Sequence, residues 1–267
     1  MKLEQIGLIG CGAMGSALAR GFTKKGDLNP SLIWVYDRNE ERALKLSREL
    51  GIKAAASLEE AVPFSRHLLI AVKPQDIDGL LHMLKGLVTP GQLVTSIAAG
   101  VTTTTLQKGL GPESKVFRLM PNTPCLLGEG AIGMSAGKNA SEEEREEVMA
   151  LLKPLGLTIQ VPEKLMDAVT GLSGTGPAYV FLFAETLIDA GVTVGLNRDV
   201  ASKLVVQTLI GAARMLQESN IHPAELRNNV TSPAGTTCAA MQVLEETGFR
   251  SSMIKAVIEA TRRAGEL

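Results

Sequence analysis

Histidine, cysteine and aromatic residues are scarce in this 267-residue chain. It has three histidines (His67, His82, His222), three cysteines (Cys11, Cys125, Cys238), one tryptophan and two tyrosines. With so few soft ligands and no Cys-x-x-Cys pair there is no candidate metal site, and three scattered thiols make no disulfide framework. A basic excess is lacking too: 27 Lys plus Arg stand against 28 Asp plus Glu. That removes the electrostatic footprint of a nucleic-acid binder. No apolar run approaches the roughly 20 residues of a membrane span; the longest, residues 178–184, is cut by Glu185. Lys2 and the apolar stretch 6–19 resemble a secretory leader, but Glu4 and the glycines at 10, 12 and 15 break that pattern. The expectation is a protein of a reducing, cytoplasmic compartment, with a small-molecule partner and neither nucleic acid nor membrane.

What is present divides into two halves. Apolar residues make up 45% and charged residues 21%, which suits a packed globular chain. Up to about residue 160, short apolar runs alternate with helical patterns, predicting strands over 6–9, 32–36, 67–72, 93–97, 115–120, 131–134 and 157–160. Such alternation implies a mostly parallel, doubly wound sheet covered on both faces. Ser57–Glu60 and Ser141–Glu144 both fit the capping box that starts a helix. Beyond residue 162 the strands stop, and helices are predicted over 177–190, 198–218, 223–228, 236–247 and 252–264, with Gly191 and Gly248 as stops. The fold class is therefore an α/β Rossmann domain (residues 1–162) followed by an all-α domain (163–267). The helix from Arg198 is apolar nearly all round, with Leu204, Val205, Val206, Leu209 and Ile210, so it must be buried on both sides. A homodimer core is the expected way to do that.

Gly10-Cys11-Gly12-Ala13-Met14-Gly15 follows the first strand and opens a helix. In that context the first glycine permits a tight turn, the second a close pyrophosphate, and the third close packing of helix on sheet. Asp37 lies 22 residues past Gly15, where an acid meets the adenosine ribose. Its carboxylate favours NADH, whereas the adjacent Arg38 suits the 2′-phosphate of NADPH, and both cofactors stay open. Three further strand ends carry small residues or prolines: Ala71-Val72-Lys73-Pro74, Ser96-Ile97-Ala98-Ala99-Gly100 and Met120-Pro121-Asn122-Thr123-Pro124. They mark where the ligand should lie.

In the helical half, Ser173-Gly174-Thr175-Gly176-Pro177 and Thr231-Ser232-Pro233-Ala234-Gly235-Thr236-Thr237 each precede a helix. Free N–H groups and hydroxyls at such a start make an anion receptor suited to a small carboxylate. A general acid is missing: the helix over 177–190 carries no Lys or His, and Val180 stands where β-hydroxyacid dehydrogenases place a lysine. Ketone reduction needs such a donor. An imine nitrogen arrives basic, so C=N reduction can proceed on positioning.

These motifs, with Val72-Lys73-Pro74, Arg118-Leu119-Met120-Pro121-Asn122-Thr123-Pro124 and Asp167–Tyr179, make the chain resemble the pyrroline-5-carboxylate reductases over nearly its whole length. The resemblance implies hydride transfer from NADPH or NADH to the ring C=N of 1-pyrroline-5-carboxylate, giving L-proline. It further implies that Ser232, Gly235 and Thr236 hold the substrate carboxylate, that Thr237 puts its hydroxyl on the ring nitrogen, and that Glu163 lies near the substrate. The nucleotide contacts become Ile9, Gly10, Cys11, Gly12, Ala13, Met14, Gly15, Asp37, Arg38, Ser57, Ala71, Val72, Lys73, Pro74, Ala98, Ala99 and Asn229. Domain-swapped dimers and decamers are implied as well. Ala234 stands where the family usually has glycine, and Thr175 where serine is usual. A positive φ at Ala234 would cost roughly 1–2 kcal/mol. The rival readings are another imine or β-hydroxyacid reductase on this architecture, and a nucleotide-binding protein without catalysis.

Overall fold

The computed structural model describes residues 5–25 and 28–266; Lys2 and Glu4 lie outside them. In chain order the elements are β1 (Ile6–Ile9), α1 (Ala13–Lys25), β2 (Ile33–Tyr36), α2 (Glu40–Leu50), β3 (Lys53–Ala54), α3 (Leu58–Ala61), β4 (His67–Ile70), α4 (Ile77–Leu84), β5 (Leu93–Ser96), α5 (Thr103–Leu110), β6 (Lys115–Met120), β7 (Gly130–Ala136), α6 (Glu142–Leu152) and β8 (Gly156–Gln160). Then come α7 (Met166–Val169), α8 (Gly176–Thr193), α9 (Arg198–Ser219), α10 (Pro223–Asn229), α11 (Thr236–Glu246) and α12 (Phe249–Ala264).

The eight strands form one sheet in the order β3-β2-β1-β4-β5-β6-β7-β8. All neighbours are parallel except β6 and β7. Strand side chains alternate between two cores, as a period of two requires. Leu8, Leu69, Leu93 and Phe117 enter one with Leu18 and Phe22 of α1. Ile9, Leu68, Ile70, Val94 and Val116 enter the other with Leu81 and Leu106. The strand order reverses at β1, which leaves a crevice at the carboxyl ends of β1 and β4.

Register adds a feature that periodicity could not supply. Met120 ends β6 opposite Gly133 of β7, so Gly130–Ile132 run past the end of β6. β8 pairs with that overhang through Gly130↔Gly156 to Met134↔Gln160. The strand predicted over 67–72 ends at Ile70, because the residues before Pro74 turn into a short 3-10 segment, Pro74–Asp76. The two-residue β3 was too short to leave a periodic signal. The capping box at Ser141 forms in both directions. At Ser57 it does not: Glu60 instead accepts from the Ala56 N–H at 2.7 Å, one residue earlier. Gly248 ends α11 with φ +75°, as expected. Gly191 is no stop: α8 continues to Thr193, and the left-handed residue is Gly195 (φ +99°). An added Cβ at Gly191 would sit 3.0 Å from Cβ of Ala201, so that glycine serves the close approach of α8 to α9.

By packing, the chain forms two compact units: residues through Thr175 together with those from Glu259 onward, and Gly176–Ile258. Ala201 is the one buried apolar residue of the second unit among those described. Phe181, Leu182, Leu204, Val206 and Met215 all stand more than half exposed on α8 and α9. An open cavity of about 420 Å³ lies in the same unit, lined by Phe183, Met241, Leu244 and Phe249.

Candidate active site

In the sheet unit, the glycine-rich turn is built by close contacts only glycine allows. Gly10 (φ +101°) donates to the Tyr36 carbonyl at 2.7 Å, and a Cβ there would meet the Ala71 carbonyl oxygen at 2.5 Å. A Cβ at Gly15 would sit 1.9 Å from the Gly10 carbonyl oxygen. Gly12 differs: a Cβ there would have nothing within 4 Å. Ala13 and Met14 follow as the first residues of α1, whose first turn carries no acid to oppose an anion. The cradle suits a pyrophosphate.

Asp37 braces this turn. Its Oδ2 accepts from Cys11 N–H at 2.7 Å and its Oδ1 from Asn39 N–H at 2.8 Å. Arg38 is nine-tenths exposed, with Asp76 3.9 Å away. Cys11 is buried, and burial together with the Asp37 charge pushes its thiol up to about 12. It fills space and stays protonated. Ile9 ends β1, and exposed Lys73 precedes the turn at Pro74. Ser57 is half-buried at the start of α3.

Between β5 and α5, the Ser96 hydroxyl accepts from Ala98 N–H, Gly100 adopts φ +75°, and the Thr102 hydroxyl caps α5 by accepting from Thr105 N–H. Ala98 is buried and Ala99 half-buried. Glu163 reaches this loop: its two oxygens accept from the backbone N–H and the hydroxyl of Thr103, each at 2.6 Å. Three contacts escaped the motif reading. Buried Arg118 pairs with Asp167 at 2.9 Å. Buried Asn122 donates to the Ser173 carbonyl and accepts from Ala131 N–H, both at 3.0 Å. The Pro-Asn-Thr-Pro spelling was visible; that the amide ties the β6 end to the segment around Ser173 was not.

In the helical unit, Asn229 ends α10 and is exposed. The following loop has Ala234 at φ +56°, the left-handed geometry anticipated as a cost. A Cβ at Gly235 would lie 2.2 Å from the Ser232 hydroxyl oxygen, so glycine lets Ser232 lean over the loop. Gly235 is the N-cap of α11 and offers no side chain to its first N–H groups. Thr236 and Thr237 follow on that first turn, and the Thr237 hydroxyl makes no hydrogen bond to another described residue. The loop thus combines free backbone donors with hydroxyls, an arrangement fitted to a carboxylate.

The histidines have other employment. His67 lies in the sheet core 3.0 Å from Glu147, and burial holds its imidazole below the usual value. His222 caps α10 by accepting from Ala224 N–H, and His82 sits in the last turn of α4. Among the described residues no cluster could hold a metal ion, and no helix is long and apolar enough to cross a membrane.

Comparison with known proteins bears on both units. Residues 163–267 match the family model for pyrroline-5-carboxylate reductase dimerisation, and residues 5–100 that for F420-dependent NADP oxidoreductase. The pyrroline-5-carboxylate reductase of Methanosarcina acetivorans is 43% identical over 100% of this chain and 99% of its own. That of Escherichia coli is 36% identical over 99% and 98%. The crystal structure of the Plasmodium falciparum pyrroline carboxylate reductase with NADP bound superposes with a TM-score of 0.90 at 32% identity, covering 100% of this chain and 98% of the other.

Proposed function

The chain belongs to the pyrroline-5-carboxylate reductase family, and from that premise we propose how its loops share the reduction of 1-pyrroline-5-carboxylate to L-proline. The carrying observation is the loop from Ser232 to Thr237: a left-handed Ala234, a glycine under the Ser232 hydroxyl, and an α11 start without a side-chain cap. Ser232 and the N–H groups around Gly235 and Thr236 hold the substrate carboxylate. Thr237 places its hydroxyl on the ring nitrogen, fixing the C=N carbon for attack. A bound NADPH or NADH supplies the hydride; the nitrogen takes its proton before transfer, so no lysine or histidine donor is required.

Ile9, Gly10–Gly15, Ser57, Ala71–Pro74 and Asn229 line the nucleotide, with Ala98 and Ala99 beneath the nicotinamide. Asp37 has both oxygens on backbone donors, and Arg38 is exposed beside it; this supports NADPH as the better cofactor. Comparing kcat/KM for the two nucleotides tests that. We assign residues 1–162 to nucleotide binding and 163–267 to substrate binding and self-association. The apolar surfaces of α8 and α9 support a homodimer, the family resemblance its extension to a decamer, the scattered cysteines a reducing, cytoplasmic compartment, and the balanced charge the lack of a nucleic-acid partner.

The decisive assay is oxidation of NADPH or NADH on addition of 1-pyrroline-5-carboxylate; absence of turnover with both would defeat the reading. Thr237→Ala should lower kcat/KM by roughly tenfold or more, for one hydrogen bond to the reacting nitrogen. An unchanged value would remove Thr237 from the mechanism.

A further inference from the structure

We propose that Glu163 is a positioning residue for the nicotinamide, acting through Thr103 to fix the loop Ala98–Thr102, and that it makes no contact with the imino acid. The inference rests on the nucleotide assignment of Ala98 and Ala99 given above.

Geometry carries it. Both Glu163 oxygens are taken by one residue, the backbone N–H and the hydroxyl of Thr103, at 2.6 Å each. Thr103 is 5% exposed and begins α5. The carboxylate therefore sits on the positive end of that helix, where a charge-assisted pair of hydrogen bonds is strongest. Loop Ala98–Thr102 contains a left-handed glycine and an internal bond from Val101 N–H to the Ala98 carbonyl stretched to 3.4 Å. Its firm attachments are at its ends: Ser96 on one side, and the Thr102 cap and Glu163–Thr103 on the other. The Ile97 N–H also donates to the Ile70 carbonyl of β4 at 3.1 Å, so on the β5 side the loop is tied to the neighbouring strand, and on the α5 side Glu163 is the tie that comes from a distant part of the chain. The register of β8 on β7 explains how it arrives. Gln160 pairs with Met134, which lies opposite Leu119, level with the residue after Ser96. The segment following β8 starts at that level and reaches the β5–α5 loop across two strands, β7 and β6.

A floor that shifts by an ångström misplaces the hydride donor, and reactions sensitive to orientation lose rate more than affinity. The test compares Glu163→Ala, Glu163→Gln and Thr103→Val by steady-state kinetics and by fluorescence titration of NADPH. Glu163→Ala should lower kcat about tenfold or more while KM for 1-pyrroline-5-carboxylate stays within twofold. Glu163→Gln keeps one acceptor and should recover part of that loss. The double variant Glu163→Ala/Thr103→Val should be no worse than Glu163→Ala alone, since the two act through one contact. A raised KM for the imino acid with kcat unchanged would overturn the proposal in favour of substrate contact, and so would additive losses. If the wild type turns over no 1-pyrroline-5-carboxylate, the functional reading fails separately. The titration still decides: a shift of bound NADPH emission on Glu163→Ala that is smaller in the Thr103→Val background, where only the backbone N–H bond to Glu163 is left, supports the proposal, and an equal shift in both backgrounds or identical emission in all four proteins defeats it.

Discussion

The sheet unit and the helical unit are made from similarly apolar sequence yet end in opposite states. Helices of the same chain cover both faces of the central strands, so Phe22, Leu69 and Phe117 are almost wholly buried, and exposed apolar side chains such as Leu157 and Ile159 are confined to the edge strand β8 within the sheet. The helical unit hides one alanine and leaves Phe181, Leu204 and Val206 in the open. Burial is worth about 25 cal/mol per Å² of apolar surface, so helices that keep such faces exposed lack the main source of folding free energy. One unit carries its own core; the other must borrow one, which is what a dimerisation segment does.

The strongest way to break that contrast is a charge on the borrowed core. Leu204→Glu should abolish the dimer and most activity, because an unpaired carboxylate in an apolar interface costs several kcal/mol. Light scattering beside far-UV circular dichroism reads both, and an unchanged dimer would mean that α9 faces solvent. Within the sheet unit, two glycines separate folding from binding. Gly15→Ala drives a Cβ into the Gly10 carbonyl and should destabilise by about 1–3 kcal/mol as overpacking, lowering Tm as well as nucleotide affinity. Gly12→Ala meets no protein atom, so it should leave Tm alone and still weaken NADPH. Equal Tm losses would remove the distinction.

Acid should find the sheet unit first. Burial depresses the His67 imidazole, so the unfolded chain takes up that proton before the folded one does. Stability is then full above about 6.5, the ordinary histidine value, and lost as pH falls through it. Glu147, held low chiefly by its Arg66 hydrogen bonds, adds a loss at still lower pH. Thermal midpoints from pH 8 to 5 should slope downward, and His67→Leu should flatten the upper part. A slope unaltered by that substitution would place the sensitive group elsewhere. The smallest effect belongs to the helical unit. Ala234→Gly relieves a φ of +56°, and the Cβ cost of roughly 1–2 kcal/mol less the entropy of glycine leaves a gain of about 0.5–1 kcal/mol. An unchanged or lowered Tm would show that the loop holds no strain.

The residues differ in how much of this they announced. Patterns that repeat were legible: strand alternation, the glycine-rich turn, and the capping box at Ser141. Ala234 was legible as a departure from a family habit, and its φ made the departure physical. Gly191 misled because a helical glycine at a crossing and a glycine at a stop are spelled alike. Asp37 was placed correctly at the end of β2, but its bonds to Cys11 and Asn39 depend on a turn folded back over it. Glu163 and Thr103 are sixty residues apart, and only strand register brings them together.

Helix α12 starts in one unit and finishes in the other. The chain therefore passes between the units twice, and the helical unit is an insertion rather than an appendage. The second passage lies within α12, whose last turns belong to the sheet unit and bury Ala264 there. Exchanging the helical unit with that of a relative would need two splice points, one in the turn before Gly176 and one inside a continuous helix. A chimera cut at the first alone would carry a foreign closing segment into the native sheet.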